Sequence, residues 1–204
     1  WAIGSDVNTC PTLSRGNARL VVRNVRTNDL VLTESDALRR TLMEQAPNAG
    51  NIHTYYKGIE LGPLARPPDR FRLRARLGLR ADRRYMVSVG WAVQAKGIVE
   101  FYETFKRFAG AVPDLHALWI GSGSLEQWLG EQARRDGLGE RVTVTGAMER
   151  HDVLRHLIAA DLMVFASHAE GLANVLMESL AAGLPTVATD VGGAREVIVD
   201  GLTG

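Results

Sequence analysis

From Tyr85 onward the chain alternates short apolar runs with stretches of helical periodicity. The runs are Tyr85-Met86-Val87-Ser88-Val89-Gly90, Leu115-His116-Ala117-Leu118-Trp119-Ile120, Arg141-Val142-Thr143-Val144-Thr145, Asp161-Leu162-Met163-Val164-Phe165-Ala166 and Thr186-Val187-Ala188-Thr189. They are short, rich in β-branched and aromatic residues and flanked by turn formers, which predicts strands. Between and after them, 97–108, 125–135, 150–160, 176–182 and 193–199 are predicted helices. Strands that alternate with helices form βαβ units, so the fold class is α/β, a parallel sheet covered on both faces. Ligands of such sheets bind outside the carboxyl ends of the strands, where the strand order reverses.

The part before Tyr85 reads as the end of a different unit. Ala2-Ile3 reads as a strand end and Gly4-Ser5-Asp6-Val7-Asn8 as a loop. Thr12 to Arg26 is a basic helix with Leu20, Val21 and Val25 on its apolar side. Asp29 to Thr33 is a strand, and Ser35 caps a helix to about Gln45 that turns Leu38, Leu42 and Met43 inward. Asn51 to Tyr56 is a strand, followed by the turn Lys57-Gly58-Ile59-Glu60. Pro63 to Pro68 reads as a linker. This divides the chain into the end of a first domain (1–65), a linker (66–82) and a second domain (83–204). Trp1-Ala2-Ile3 reads as a strand already under way, and Gly201-Leu202-Thr203-Gly204 stops just past a helix, so a fragment of a longer protein is expected.

Arg70, Arg72, Arg74, Arg76, Arg80, Arg83 and Arg84 crowd the start of the second domain. With only Phe71 and Tyr85 interleaved, the run makes no stacking platform for nucleic acid, and it reads as a solvated helix face. Binding to anionic lipid is the other reading of such a run. Cys10 is alone, which excludes an internal disulfide. No Cys/His metal pattern, HExxH or Ser-His-Asp arrangement is present. The charge balance of +1 and 46% hydrophobic content are those of an ordinary soluble domain. No apolar run is long enough to span a bilayer, and no leader is visible. A cytoplasmic location is expected, with peripheral contact at the inner membrane face left open.

The chemistry concentrates in Glu170-Gly171-Leu172-Ala173-Asn174-Val175-Leu176-Met177-Glu178, between the Asp161 strand and the helix that Gly183-Leu184-Pro185 ends. Eight steps of about 100° leave two acids about 80° apart on an ideal helix, so they do not share a face. The spacing makes sense with Glu170 in the turn and Glu178 near the second helical turn. The helix start between them then faces an anion. Carboxylates bind hydroxyls rather than phosphates, and hydroxyls at both ends of a phosphate describe a nucleotide sugar. The plainer alternative makes Glu170 a solvated loop acid and Glu178 a surface helix acid. Val89-Gly90-Trp91-Ala92-Val93-Gln94-Ala95-Lys96-Gly97 puts Lys96 at the sheet rim beside a helix start, where a cation can neutralise a diphosphate. Gly121-Ser122-Gly123 opens another helix after a strand, and His168 reads as a loop histidine.

Glu170 to Glu178 resembles the E-x7-E motif of the GT-B retaining glycosyltransferases of the family 4 type, the group 1 glycosyltransferases. Ala181-Ala182-Gly183-Leu184-Pro185-Thr186-Val187-Ala188-Thr189-Asp190-Val191-Gly192-Gly193 is similar to that family nearly position by position. The resemblance implies an incomplete Rossmann-like donor domain preceded by the end of a first Rossmann-like domain. It implies transfer of a sugar, with retention, from a nucleoside diphosphate sugar to an acceptor hydroxyl in bacterial polysaccharide, glycolipid or related glycan synthesis. The acceptor would be a glycan or a lipid-linked sugar.

On this resemblance Glu178 holds the ribose hydroxyls, Lys96 the diphosphate, and Glu170 lies near the donor sugar. Gly171, Leu172, Ala173, Asn174 and Val175 bring backbone N–H groups to sugar and phosphate. Gly90, Trp91, Gly121 and Gly123 line the nucleotide pocket, and the loop of Thr145-Gly146-Ala147-Met148 holds the base. The family's usual proposal is front-face attack with leaving-group assistance, so Glu170 is not read as a nucleophile. No metal or other cofactor is expected, because helix N–H groups and Lys96 serve the leaving phosphates.

The chain departs from the family at Ile3, at Trp91 (where Arg is usual), and mildly at Lys57 and Glu60. A nicotinamide oxidoreductase built on Gly121-x-Gly123 lacks its third glycine and an acid on the next strand. A non-catalytic transferase-like binding protein and a sugar epimerase on the same fold are the remaining alternatives.

Overall fold

The computed structural model describes residue 7, residues 14–62, residue 64 and residues 66–204. Ile3, Cys10 and the Gly4–Asn8 loop, Val7 excepted, lie outside these residues, as do Pro63 and Ala65 of the expected linker.

The first unit runs α1 (Arg15–Thr27), β1 (Val31–Thr33), α2 (Asp36–Gln45) and β2 (Ile52–Thr54). Ser14 and Ser35 cap the two helices, their hydroxyls accepting from Asn17 N and Leu38 N. β1 and β2 pair in parallel, Val31 beside Ile52 and Thr33 beside Thr54. Val25, Val31, Leu38, Leu42 and Ile52 form the core between them. Leu20 and Met43, expected to face inward, are exposed. Val21 and Val25 set the buried stripe of α1, and Leu20 lies about 100° away from it. Met43 is likewise one step past the stripe of Leu38 and Leu42.

The second unit contains α3 (Arg70–Arg76), β3 (Arg84–Val89), α4 (Ile98–Ala109), β4 (Leu115–Ile120), α5 (Glu126–Arg135), β5 (Val142–Val144), α6 (Arg150–Ala159), β6 (Leu162–Phe165), α7 (Asn174–Ala181) and β7 (Thr186–Ala188). All strand pairs are parallel, in the order β5-β4-β3-β6-β7. The chain steps outward from β3 to β5, then α6 carries it back to the other side of β3. Right-handed crossovers therefore place α4 and α5 on one face and α6 and α7 on the other. Alternating strand residues feed the two cores. Met86, Ala117, Trp119 and Val164 pack with Phe101, Phe105 and Leu129. Val87, Leu118, Met163 and Phe165 pack with Leu157 and Leu176.

Two further expectations need correction. The helix expected at 193–199 is only a 3-10 turn, Ala194–Glu196. The stretch starts on Gly192 and Gly193, poor helix formers, and Gly201 closes it too early for a helix to propagate. The arginine run is also not a solvated face throughout. Arg74 is buried, with Nη2 2.5 Å from Asp161 Oδ2, and it donates to Ala159 O at 2.9 Å and Arg83 O at 3.0 Å. Arg70 pairs with the same carboxylate. The carbonyls at the end of α6 lack helical partners, and these guanidiniums supply donors. Leu73 joins the sheet core with Leu77 and Leu79 packed beside it, so this stretch is fastened to the sheet.

The last turn also grips the first unit. The Glu196 carboxylate accepts from Asp36 N at 2.9 Å, Ala37 N at 2.8 Å and the Tyr56 hydroxyl at 2.7 Å. A carboxylate at a helix N-terminus satisfies two orphan donors and complements the macrodipole. That hydrogen bond raises the Tyr56 phenol above its ordinary pKa. Glu196→Ala is expected to cost about 1 kcal/mol, as loss of an N-cap does. It should also speed hydrogen exchange at Asp36 and Ala37. Unchanged exchange at both amides would show that the contact does not hold the two units together.

Candidate functional site

Because β3 and β6 are neighbours and the chain diverges from them, the switch point lies at their carboxyl ends. Gly90 follows β3 and Ala166 follows β6. The loops there touch backbone to backbone. Gly97 has φ 73°, and a Cβ on it would sit 1.9 Å from Ala166 O. Gly121 has φ 134°, and a Cβ on it would sit 2.0 Å from Gly90 O. Only glycine fits either position. Reciprocal bonds tie the loops further: Ala92 N to Ser122 O at 2.9 Å, Leu125 N to Ala92 O at 2.8 Å, and Gly121 N to Gly146 O at 2.9 Å.

Into this crevice come the two residues singled out from separate motifs. Lys96 ends the 3-10 turn Gln94–Lys96, and its Nζ lies 2.6 Å from Glu170 Oε1. Ser167 Oγ donates to the same oxygen at 2.8 Å. The side chains keep 32% and 16% of their exposure, so the pair is screened less than a surface pair and still reachable. Glu170 stands in the turn after β6, as the spacing predicts.

Glu178 is not a surface acid. It is buried in the second turn of α7, and its Oε1 accepts from Arg150 Nε at 3.0 Å. Arg150 opens α6, and its Nη1 is 3.8 Å from Glu60 Oε2. Sequence reasoning missed Arg150. The available signal was a cation in the first turn of a helix, where the macrodipole disfavours it.

Gly171 and Leu172 are buried behind the helix start, while Ala173, Asn174 and Val175 reach its surface. Ala173 stands at the N-cap and has no side-chain acceptor, so no cap competes for the first-turn amides of α7. Trp91 is 68% exposed, and its neighbour Ala92 is fully buried. An indole thus projects from a rigid loop at the point where the family has a cation. Met148, on the loop after β5, is half-buried against the core. Gly123 packs against Ala92 O. His168 Nε2 lies 2.8 Å from Glu100 Oε1, a pairing between loop and helix flank that leaves it the loop histidine expected. Among the described residues no cluster of three His, Cys, Asp or Glu could hold a metal ion. No helix of the described residues is long and apolar enough to cross a membrane.

This α/β architecture is that of the GT-B glycosyltransferases. Over 98% of the chain it superposes on Anabaena Alr3699/HepE crystallised with UDP-glucose, with a TM-score of 0.85 and 25% identity, covering 56% of that chain. Sucrose-phosphate synthase of Thermosynechococcus elongatus shares the fold, with a TM-score of 0.78 at 23% identity over 96% of this chain and 49% of that one. The family model for glycosyl transferases group 1 matches residues 69–204, and the chain belongs to that family. It is 33% identical over 197 residues to TuaC of Bacillus subtilis (strain 168), a glycosyltransferase provisionally assigned to teichuronic acid biosynthesis. That match covers 95% of this chain and 47% of TuaC. It is 32% identical over 180 residues to the D-inositol 3-phosphate glycosyltransferase of Mycolicibacterium gilvum (strain PYR-GCK), covering 86% of this chain and 39% of that protein. The chain thus spans about half or less of the curated relatives it matches.

Proposed function

We propose that this chain carries the donor half of a retaining glycosyltransferase. The reaction would move a sugar from a nucleoside diphosphate sugar to an acceptor hydroxyl in glycan synthesis. The observation that carries the reading is the 2.6 Å Lys96–Glu170 pair at the switch point. Family membership and a relative crystallised with UDP-glucose support it. In this reading the second domain binds the donor and the first, joined through the stretch after Glu60, faces the acceptor.

As the bond from the anomeric carbon to the diphosphate breaks, charge grows on the leaving phosphate oxygens. The Lys96 ammonium meets that charge together with the first-turn N–H groups of α7, and these groups of the chain stand where a metal ion would otherwise serve the leaving phosphates. Glu170 keeps Lys96 aimed into the crevice and accepts from a donor sugar hydroxyl. The acceptor hydroxyl attacks from the face the diphosphate leaves, and its proton passes to a phosphate oxygen. That course gives retention. Glu178 accepts from the ribose hydroxyls, and the loops of Gly90, Gly121, Gly123 and Met148 enclose the nucleotide. The acceptor is a glycan or a lipid-linked sugar, and the site of action is the cytoplasm or the inner membrane face.

The test begins with calorimetric titration of UDP, GDP and ADP, followed by a turnover screen of the corresponding nucleotide sugars. Glu178→Ala is expected to weaken the tightest nucleoside diphosphate by about 10- to 100-fold, the loss of a charge-assisted hydrogen bond. The fold should stay intact by circular dichroism. A wild-type chain that binds none of the three would refute the donor site. An unchanged dissociation constant in the variant would remove Glu178 from it.

A further inference from the structure

Arg150 sits in a place that local rules disfavour. It is the first residue of α6, where a cation meets the positive end of the helix dipole. A local rule broken at one position points to a tertiary reason. The reason lies 28 residues on: Arg150 Nε donates to Glu178 Oε1 at 3.0 Å. The Glu178 side chain keeps only 9% of its exposure, whereas that of Arg150 keeps 50%. A carboxylate so buried is costly unless partnered. Among the described residues Arg150 is the one cation within ion-pair distance of it. Arg150 also stands two residues after Met148, on the loop that follows β5.

We propose that Arg150 is a positioning residue for the nucleotide's ribose. Its guanidinium holds one oxygen of Glu178, which fixes the carboxylate rotamer and turns the other oxygen toward a pair of vicinal hydroxyls. It also compensates the buried charge before any ligand arrives, so the carboxylate is ready as an acceptor. Because Arg150 leads out of the β5–α6 loop, the same contact ties the loop that covers the base to the acid that holds the ribose. Glu60 Oε2 lies 3.8 Å from Nη1 and adds a weaker, exposed ion pair to the same guanidinium. This rests on reading Glu178 as the ribose acceptor.

The experiment titrates two probes into the chain: the tightest of UDP, GDP and ADP, and its 2′,3′-dideoxy analogue. The proteins are wild type, Arg150→Met, Arg150→Lys, Glu178→Ala and the Arg150→Met/Glu178→Ala double variant. Arg150→Met is expected to weaken the ribonucleotide about tenfold and to leave the dideoxy probe unchanged. Arg150→Lys should recover part of the loss. The double variant should bind no worse than Glu178→Ala alone, because the two residues act as one unit. Equal loss for both probes would overturn the proposal and make Arg150 a phosphate contact or a fold determinant. Unchanged ribonucleotide affinity would overturn it as well and leave a surface ion pair. A wild type that binds neither probe would bring down the donor-site reading itself, which separates the two failures.

Discussion

Replacing Lys96 by alanine lowers the rate of nucleoside diphosphate release from the donor by about 10²–10³-fold, the usual cost of one electrostatic stabiliser of a transition state. Nucleotide affinity should fall far less. The leaving diphosphate gains negative charge only as the glycosidic bond breaks, so the ammonium acts more strongly in the transition state than in the ground state. The geometry favours this split. Glu170 Oε1, 2.6 Å away, holds Nζ at the carboxyl ends of β3 and β6, and the Lys96 side chain remains 32% exposed and open to ligand. Gly97, the residue after Lys96, lies backbone to backbone against Ala166, which anchors the lysine's loop to the end of β6. Release rates and dissociation constants for wild type and Lys96→Ala, measured side by side, decide the point. A variant with normal release makes the pair a structural ion pair and ends the diphosphate assignment.

Asp161→Ala is expected to destabilise the fold by about 3 kcal/mol, the lower end for leaving a buried charge without its partner, because Arg74 is buried although Asp161 itself is partly exposed. In a chain of this size that lowers the melting midpoint by roughly 6–12 °C. One carboxylate serves Arg74 at 2.5 Å, Arg70, and the Tyr85 amide at 2.7 Å. Its loss leaves the Arg74 guanidinium, 4% exposed, with no anionic partner, only the carbonyls of Ala159 and Arg83 and the face of the Tyr85 ring. Replacing both partners at once, with Arg74→Met and Asp161→Leu, should recover much of the loss, because no buried charge is then left alone. Urea melts of the single and double variants test both statements. A single variant within about 0.5 kcal/mol of wild type, the range of ordinary surface changes, would mean that the cluster is decorative. The cluster also sets the start of β3, the strand that carries Gly90 and Lys96 to the crevice.

The α/β alternation after Tyr85, the turn position of Glu170 and the rim position of Lys96 were all readable from local patterns. Strand runs, glycines and helix starts report which side of an element is buried and where it stops, and those are short-range properties. The placement of the E-x7-E stretch, Glu170 in the turn and Glu178 in the second helical turn, was readable for the same reason, since turn and helix lie within one βαβ unit. Patterns of this kind do not say which strand lies beside which. Only the order β5-β4-β3-β6-β7 brings the loop after β3 onto the loop after β6, and so joins Lys96 to Glu170 across 74 residues. Arg150 with Glu178, Arg74 with Asp161 and Glu196 with α2 are separated by 28, 87 and 160 residues. Arg74 looked like its six neighbours in the run, and nothing in the motif paired Glu178 with Arg150. What distinguishes them is burial, which comes from packing one helix on another. A side chain's charge is written in the sequence, but its partner and its solvent are supplied by residues far along the chain, and these determine what that charge can do.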